Sequence, residues 1–228
     1  MRIREQGALV SRTPHIQFDL LANARDSLRQ AVELLTWKAI GSDHARLKHS
    51  ITNAAHSIEL LLKERLSRVH SALVWENVDK YPNIGARTVT VETAISRLEK
   101  IGGVTFSERD KNNLLSLRMT RNAIEHYAWH TTEKEAKIIV GNALSFAFSF
   151  AVEQLSTDLA ADFKQDDTWR LLIEELYDFV RAHGARLEAK LREKGEYPSC
   201  CDACGELTVP MRGGSCELCG HWQDVDDA

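Results

Sequence analysis

Arg121, Asn122 and His126 are residue types that can act together on a phosphate. They stand in the run Leu117-Arg118-Met119-Thr120-Arg121-Asn122-Ala123-Ile124-Glu125-His126-Tyr127. An imidazole titrates near neutrality, so His126 can take or give a proton at physiological pH. A guanidinium presents two parallel donors to a phosphate and stabilises charge that builds there, which is the role open to Arg121. Asn122 can orient the phosphate or the imidazole. If the run is helical, Asn122 and His126 share a face, because they are four apart. Arg121 and Glu125 are also four apart and can pair. The plain alternative is an ordinary helix ion pair, with His126 a surface or core histidine.

The second group with chemistry is at the other end of the chain. All five cysteines lie between Cys200 and Cys219. Cys201-x-x-Cys204-Gly205 and Cys216-x-x-Cys219-Gly220 are two metal knuckles, in which a tight turn aims N–H groups at the thiolates and a glycine relieves crowding. Leu207-Thr208-Val209-Pro210 is a strand candidate between them, and Arg212-Gly213-Gly214 supplies a turn. The pattern resembles a zinc ribbon, with Cys201, Cys204, Cys216 and Cys219 binding one zinc. Four thiolates fill the tetrahedron and leave no open position, so this zinc is expected to be structural. So short a segment buries too little to fold unaided, and the metal must contribute its stability. Cys200 and His221 are left over. The acidic end, Asp224-Val225-Asp226-Asp227, favours protein contact or positioning over strong nucleic-acid binding.

Helices must position both groups. Leu20, Leu21, Ala24, Leu28, Ala31, Leu34 and Leu35 give an apolar stripe that predicts a helix from about Phe18 to Ile40. Gly41-Ser42-Asp43 is the expected turn, with Asp43 as N-cap of a second helix from His44 to about Ser71. Residues 72–90 connect, and Trp75 and Tyr81 predict that they are packed. A short helix follows from Val91 to Ile101, capped by Thr90 and stopped by Gly102-Gly103. The helix carrying the Arg-Asn-x-x-x-His run starts near Ser107 and places that run mid-helix. Leu114, Leu117, Ile124 and Ala128 form its apolar stripe, with Arg121 on it. His130 is four beyond His126, a spacing that also suits a metal if Glu133 is the third ligand. Thr131 or Thr132 caps the next helix, which runs to about Phe163. The last runs from Thr168 to Lys194, its charged end leading out of the bundle as a solvated extension.

The sequence therefore divides into an irregular segment, 1–16, an all-α helical domain, 17–195, and a metal module, 196–228. Net charge is −4 over 228 residues, which argues against a broad basic surface for nucleic acid. Arg118 and Arg121 can still form a local basic cleft. The run from Ala143 to Val152 is about half the ~20 apolar residues a membrane span needs. It reads as a central buried helix, so no membrane partner is expected. The N-terminus lacks the apolar core of a signal peptide, and a cytoplasmic location is the default.

Arg121-Asn122-x-x-x-His126 resembles the R-x(4–6)-H signature of HEPN domains, with the polar residue that commonly follows the arginine. Ile58-Glu59-Leu60-Leu61-Leu62-Lys63 resembles an earlier helix of the same family. The resemblance covers roughly the first 165 residues. It implies a helical bundle, a homodimer in which one site draws on both chains, and metal-independent cutting of RNA. In that chemistry a base removes the 2′-hydroxyl proton and the oxyanion attacks the adjacent phosphate. His126 is then general base or acid, Arg121 the phosphate clamp, Asn122 the orienting group and Glu59 a partner for Arg121 or His126. It further implies a toxin or phage-defence setting, with an antitoxin or defence complex as protein partner. The rival is a non-catalytic HEPN-like dimerisation or binding module, acting as adaptor in a larger assembly.

Overall fold

The computed structural model describes residues 19–37 and 43–224. The expectations for residues 1–16, the helix boundaries at Phe18 and Ile40, the Gly41-Ser42 turn and the acidic end beyond Asp224 lie outside these.

The described residues are mostly helical, with short strands only at the C-terminal end. Helix α1 (Leu20–Thr36) begins at Asp19, whose side chain accepts from the Ala22 N–H. Helix α2 (Asp43–Val69) packs along it. The Ser50 hydroxyl donates to the Ala31 carbonyl at 2.7 Å and the Ser57 hydroxyl to the Ala24 carbonyl at 2.8 Å, so the two helices run antiparallel. Both serines are fully buried, and a satisfied hydroxyl lets the helix backbones approach closely. Asp43, expected as the N-cap of α2, is instead its first helical residue and pairs with Arg46.

The connecting segment is packed, as Trp75 and Tyr81 implied. It contains two 3-10 turns, Ser71–Val74 and Val78–Lys80. The Trp75 indole donates to the Asn83 carbonyl, and its ring meets Tyr81 edge-on. Arg97 of α3 (Val91–Lys100) donates to the carbonyls of Leu73, Trp75 and Glu76 and pins the segment to the bundle. Thr90 caps α3 and Ser107 caps α4 (Glu108–His126), both as expected.

Helix α5 (Glu133–Leu155) is the centre of the molecule. Thr132 and Glu135 form a full capping box at its start. Every residue from Ala143 to Ala151 is buried, because α2 and α4 cover one side and α7 another. By length and composition α5 is apolar enough to cross a membrane, but 61% of the relevant window is buried inside the fold. A helix apolar all round is what such a central position requires. The helix stops at Leu155, not Phe163, because Ser156 adopts a left-handed conformation. Leu159, Ala160 and Phe163 are still buried beyond it, so apolar residues continue while the helix does not.

The expected last helix is two. Helix α6 (Thr168–Glu175) and helix α7 (Tyr177–Glu193) break at Leu176, where no glycine or proline stands. Trp169, Leu172, Leu176, Phe179 and Val180 are all buried around this corner, so packing dictates the bend. Nor does α7 lead away as a solvated extension. It packs on α5 and on strand β2, Leu191 is buried, and Arg186 reaches Asp110 of α4.

The C-terminal end forms two antiparallel hairpins. Strand β1 (Ser199–Cys200) pairs with β2 (Leu207–Val209), and β3 (Gly214–Ser215) with β4 (Trp222–Gln223). The predicted Leu207-Val209 strand is present. This unit is docked on the helices: the Trp169 indole donates to the Leu218 carbonyl at 2.8 Å, and Arg181 pairs with the buried Glu206 at 3.1 Å. Gly184 of α7 permits the approach, because a Cβ there would lie 2.8 to 3.1 Å from the Glu206 side chain.

Candidate functional site

The cysteine cluster is built from the two hairpin turns. Each turn follows a two-residue strand and closes with the same bond: the Gly205 N–H donates to the Cys201 carbonyl at 2.8 Å, and the Gly220 N–H to the Cys216 carbonyl at 2.9 Å. Gly205 and Gly220 both have φ near +75°, at +74° and +78°. A Cβ at either would meet nothing within 4 Å, so the glycines serve backbone conformation and not relief of crowding.

Sγ atoms of Cys201, Cys204, Cys216 and Cys219 all lie within 4.8 Å of one another. Cys201 and Cys219 are 3.6 Å apart, and Cys204 and Cys216 3.7 Å. A tetrahedron with metal–sulfur bonds of about 2.3 Å has edges of roughly 3.8 Å. The four cysteines are therefore positioned to hold one metal ion. The Cys219 N–H points at Cys216 Sγ, and the Thr208 hydroxyl lies 3.0 Å from the same sulfur. Cys200 is exposed, its sulfur lying against the carbonyls of Cys201 and Gly205, and it stands outside the cluster. His221 is not part of it either; its carbonyl accepts from the Cys216 N–H.

The thiols are poised for a cation. Burial raises Cys204 above the ordinary thiol range and pushes Cys219 up to about 11. At Cys216 burial acts in the same direction, but N–H groups of Cys219 and Leu218 and the Thr208 hydroxyl outweigh it, and the thiol falls below its usual range. The Cys216 thiolate is stabilised by the fold, and those of Cys204 and Cys219 are disfavoured until a cation neutralises them.

The Arg-Asn-x-x-x-His run occupies the last turns of α4, not its middle. The helix ends at His126, with the Tyr127 N–H donating to the Ala123 carbonyl. Ala128 is exposed and outside the helix, so the buried stripe consists of Leu114, Leu117 and Thr120. His130 also lies beyond the helix end, which removes the shared face expected with His126. Among the described residues the four cysteines are the one group placed to hold a metal.

Arg121, Asn122 and Glu59 come together. With Arg118 they line a cleft of about 240 Å³ between α2 and α4. Its walls include Ala55, Ile58, Val89, Val91, Leu114 and Leu117, and Thr88 and Thr90 close it. Arg121 pairs with Glu125 at 3.0 Å and remains about one-third exposed, not buried on the apolar stripe. Glu59 accepts from Lys63 at 2.5 Å, and Lys63 also donates to the Thr88 hydroxyl at 2.8 Å. Glu59 thus contacts neither Arg121 nor His126. Arg118 pairs with Glu92. His126 is 65% exposed, does not line the cleft, and stands 4.0 Å from Glu125.

The spacing in α4 marked Arg121 and Asn122, and the neighbouring helix marked Glu59. Nothing marked Thr88, or Lys63 as its partner. Lys63 stood in the sequence only as the end of the Ile58–Lys63 run, with no role of its own, and Thr88 belongs to a connecting segment without periodicity. Set against protein-family models, curated proteins and solved structures, the chain matches none of them.

Proposed function

We propose that the chain is a metal-independent endoribonuclease of HEPN type, stabilised by a zinc-ribbon module. The observation that carries this reading is the α2–α4 cleft, where Arg121 and Asn122 face Glu59 across a groove open to solvent. Arg121 holds the scissile phosphate and stabilises charge developing on it. His126 moves the proton of the 2′-hydroxyl or of the leaving oxygen, and its exposure leaves it accessible to substrate. Asn122 orients the phosphate. The zinc, held by Cys201, Cys204, Cys216 and Cys219, crosslinks the two hairpins and takes no part in the reaction. A toxin or phage-defence role, with a cognate protein partner in the cytoplasm, is the setting the resemblance implies.

The reading includes a homodimer. Leu115, Met119, Asn122 and His126 recur at steps of four, three and four, which makes one outward stripe on α4. Leu115 and Met119 are exposed, and Tyr127 beside them is too. The exposed Leu115 and Met119 on this stripe suit a second copy, which would place a second Arg121 and His126 close to the first. Met119→Glu is then expected to convert a dimer to a monomer in sedimentation, with loss of cleavage.

One observation favours the rival binding-module reading. Arg121 and Glu59 are each already paired with a residue one turn away. The test is incubation of a mixed RNA pool with purified protein. Fragments ending in 2′,3′-cyclic phosphate, absent with Arg121→Ala and His126→Ala, support the nuclease. Intact RNA with a stable dimer supports the binding module.

A further inference from the structure

We infer that the α2–α4 cleft is a pocket for a single nucleobase, guanine, in which Glu59 reads the base edge. The inference rests on the RNA-directed reading of this face but assigns a site that reading leaves empty. At about 240 Å³ the cleft is smaller than a pocket for a drug-sized ligand, and it suits one ring system. Ile58 from α2, Leu114 and Leu117 from α4, and Val91 at the start of α3 give it an apolar side, while Glu59, Arg118 and Arg121 give it a charged one. A flat heterocycle with its flanking phosphate matches both sides. Single-stranded RNA is commonly read by splaying one base into such a slot.

The polar groups at the edge define the base. Thr88 accepts from Lys63, which leaves its hydroxyl proton free to donate. Its backbone is fixed by the bridge to Trp75, and the Val89 N–H donates to the Val74 carbonyl, so this edge is rigid. Asn122 offers an amide NH2 as donor and a carbonyl oxygen as acceptor. Glu59 is acceptor-only when ionised, and Lys63 offsets its charge while engaging one of its two oxygens. A carboxylate beside a hydroxyl donor matches guanine, which presents two adjacent N–H donors, at N1 and N2, next to the O6 acceptor. Adenine, cytosine and uracil do not combine two adjacent donors with an acceptor in this way. On this account Glu59 is a specificity residue and does not orient His126. Arg121 at the same cleft then holds the phosphate flanking that base.

The test is equilibrium binding of the four nucleoside monophosphates to the full-length, zinc-loaded protein, with cleavage-site mapping on a mixed RNA. GMP is expected to bind at least tenfold more tightly than AMP, CMP or UMP, in line with the discrimination of a good bidentate contact. Glu59→Gln is expected to remove that preference. Val91→Phe, which fills the slot from its apolar side, is expected to remove GMP binding and keeps the test valid if Glu59→Gln folds poorly. Equal binding of all four nucleotides, or none, overturns the inference. So does RNA cleavage without a guanine bias at the cut. GMP binding lost in both variants without any RNA cleavage leaves the pocket standing and removes the nuclease reading.

Discussion

At the cysteine cluster, the groups nearest the sulfurs all serve them. Two hairpin turns converge, and the Cys219 N–H and the Thr208 hydroxyl point at Cys216. On the α4 face the chain does the opposite. Arg121 is engaged by Glu125, Glu59 by Lys63 and Arg118 by Glu92. A four-cysteine ligand set for one metal ion is complete within one chain. A site that must exchange substrate keeps its charged groups paired until a ligand displaces the partners, and the partly exposed i,i+4 pair of Arg121 with Glu125 is weak enough to allow that.

The comparison breaks most sharply on metal removal. Cys216→Ser is expected to lose the metal ion that the four cysteines are placed to hold, measured as a fall from one ion per chain by elemental analysis. The module is then expected to unfold, since a structural metal such as zinc contributes on the order of 10 kcal/mol in small domains. Trp169 reports this directly, because its indole is bonded to Leu218 in the second knuckle. Its fluorescence should change while the helical circular dichroism largely persists.

A second expected effect lies in the core between the two regions. His183 is buried against Phe148, Trp169 and Phe179, and burial, reinforced by Arg186 and Lys164, lowers its pKa to about 3. Its folded value lies below the unfolded value of about 6.5, so the unfolded chain binds the extra proton. Stability is therefore full above about pH 6.5 and falls as pH drops toward 3, at roughly 1 kcal/mol per pH unit from this group. Thermal melts across that range should show the loss, and His183→Phe should flatten it.

Smaller still is the contact between module and helices. Gly184→Ala forces the Glu206 side chain away from α7 and should cost about 1–3 kcal/mol in denaturant unfolding. It should leave events at the α4 face unchanged. Smallest is Glu125→Gln, which frees Arg121 at a stability cost of about 0.5 kcal/mol or less. RNA affinity should rise in this variant. Unchanged affinity would mean that the pair does not guard the site.

Much of this was legible in the sequence where periodicity or spacing has one structural solution. The α5 run from Ala143 to Val152 could only be central, and the Cys-x-x-Cys pairs could only converge. The caps at Thr90, Ser107 and Thr132 were readable because each side chain bonds within three residues of itself. What escaped depends on distant packing. The bend at Leu176 has no local breaker, and Ser156 ends α5 in a conformation usually left to glycine. The Arg121–Glu125 pair was visible, but the meeting of Glu59 with Asn122 in one cleft, and the distance of His126 from it, required the fold.

The most direct measurement is RNA cleavage by the zinc-loaded protein, with magnesium removed by a chelator too weak to strip the cysteines, beside Arg121→Ala and His126→Ala. The account predicts fragments with 2′,3′-cyclic phosphate ends and a loss of at least about 100-fold in each variant, the usual scale for a proton-transfer group. Absence of cleavage by an intact dimer, or full activity in His126→Ala, would contradict it.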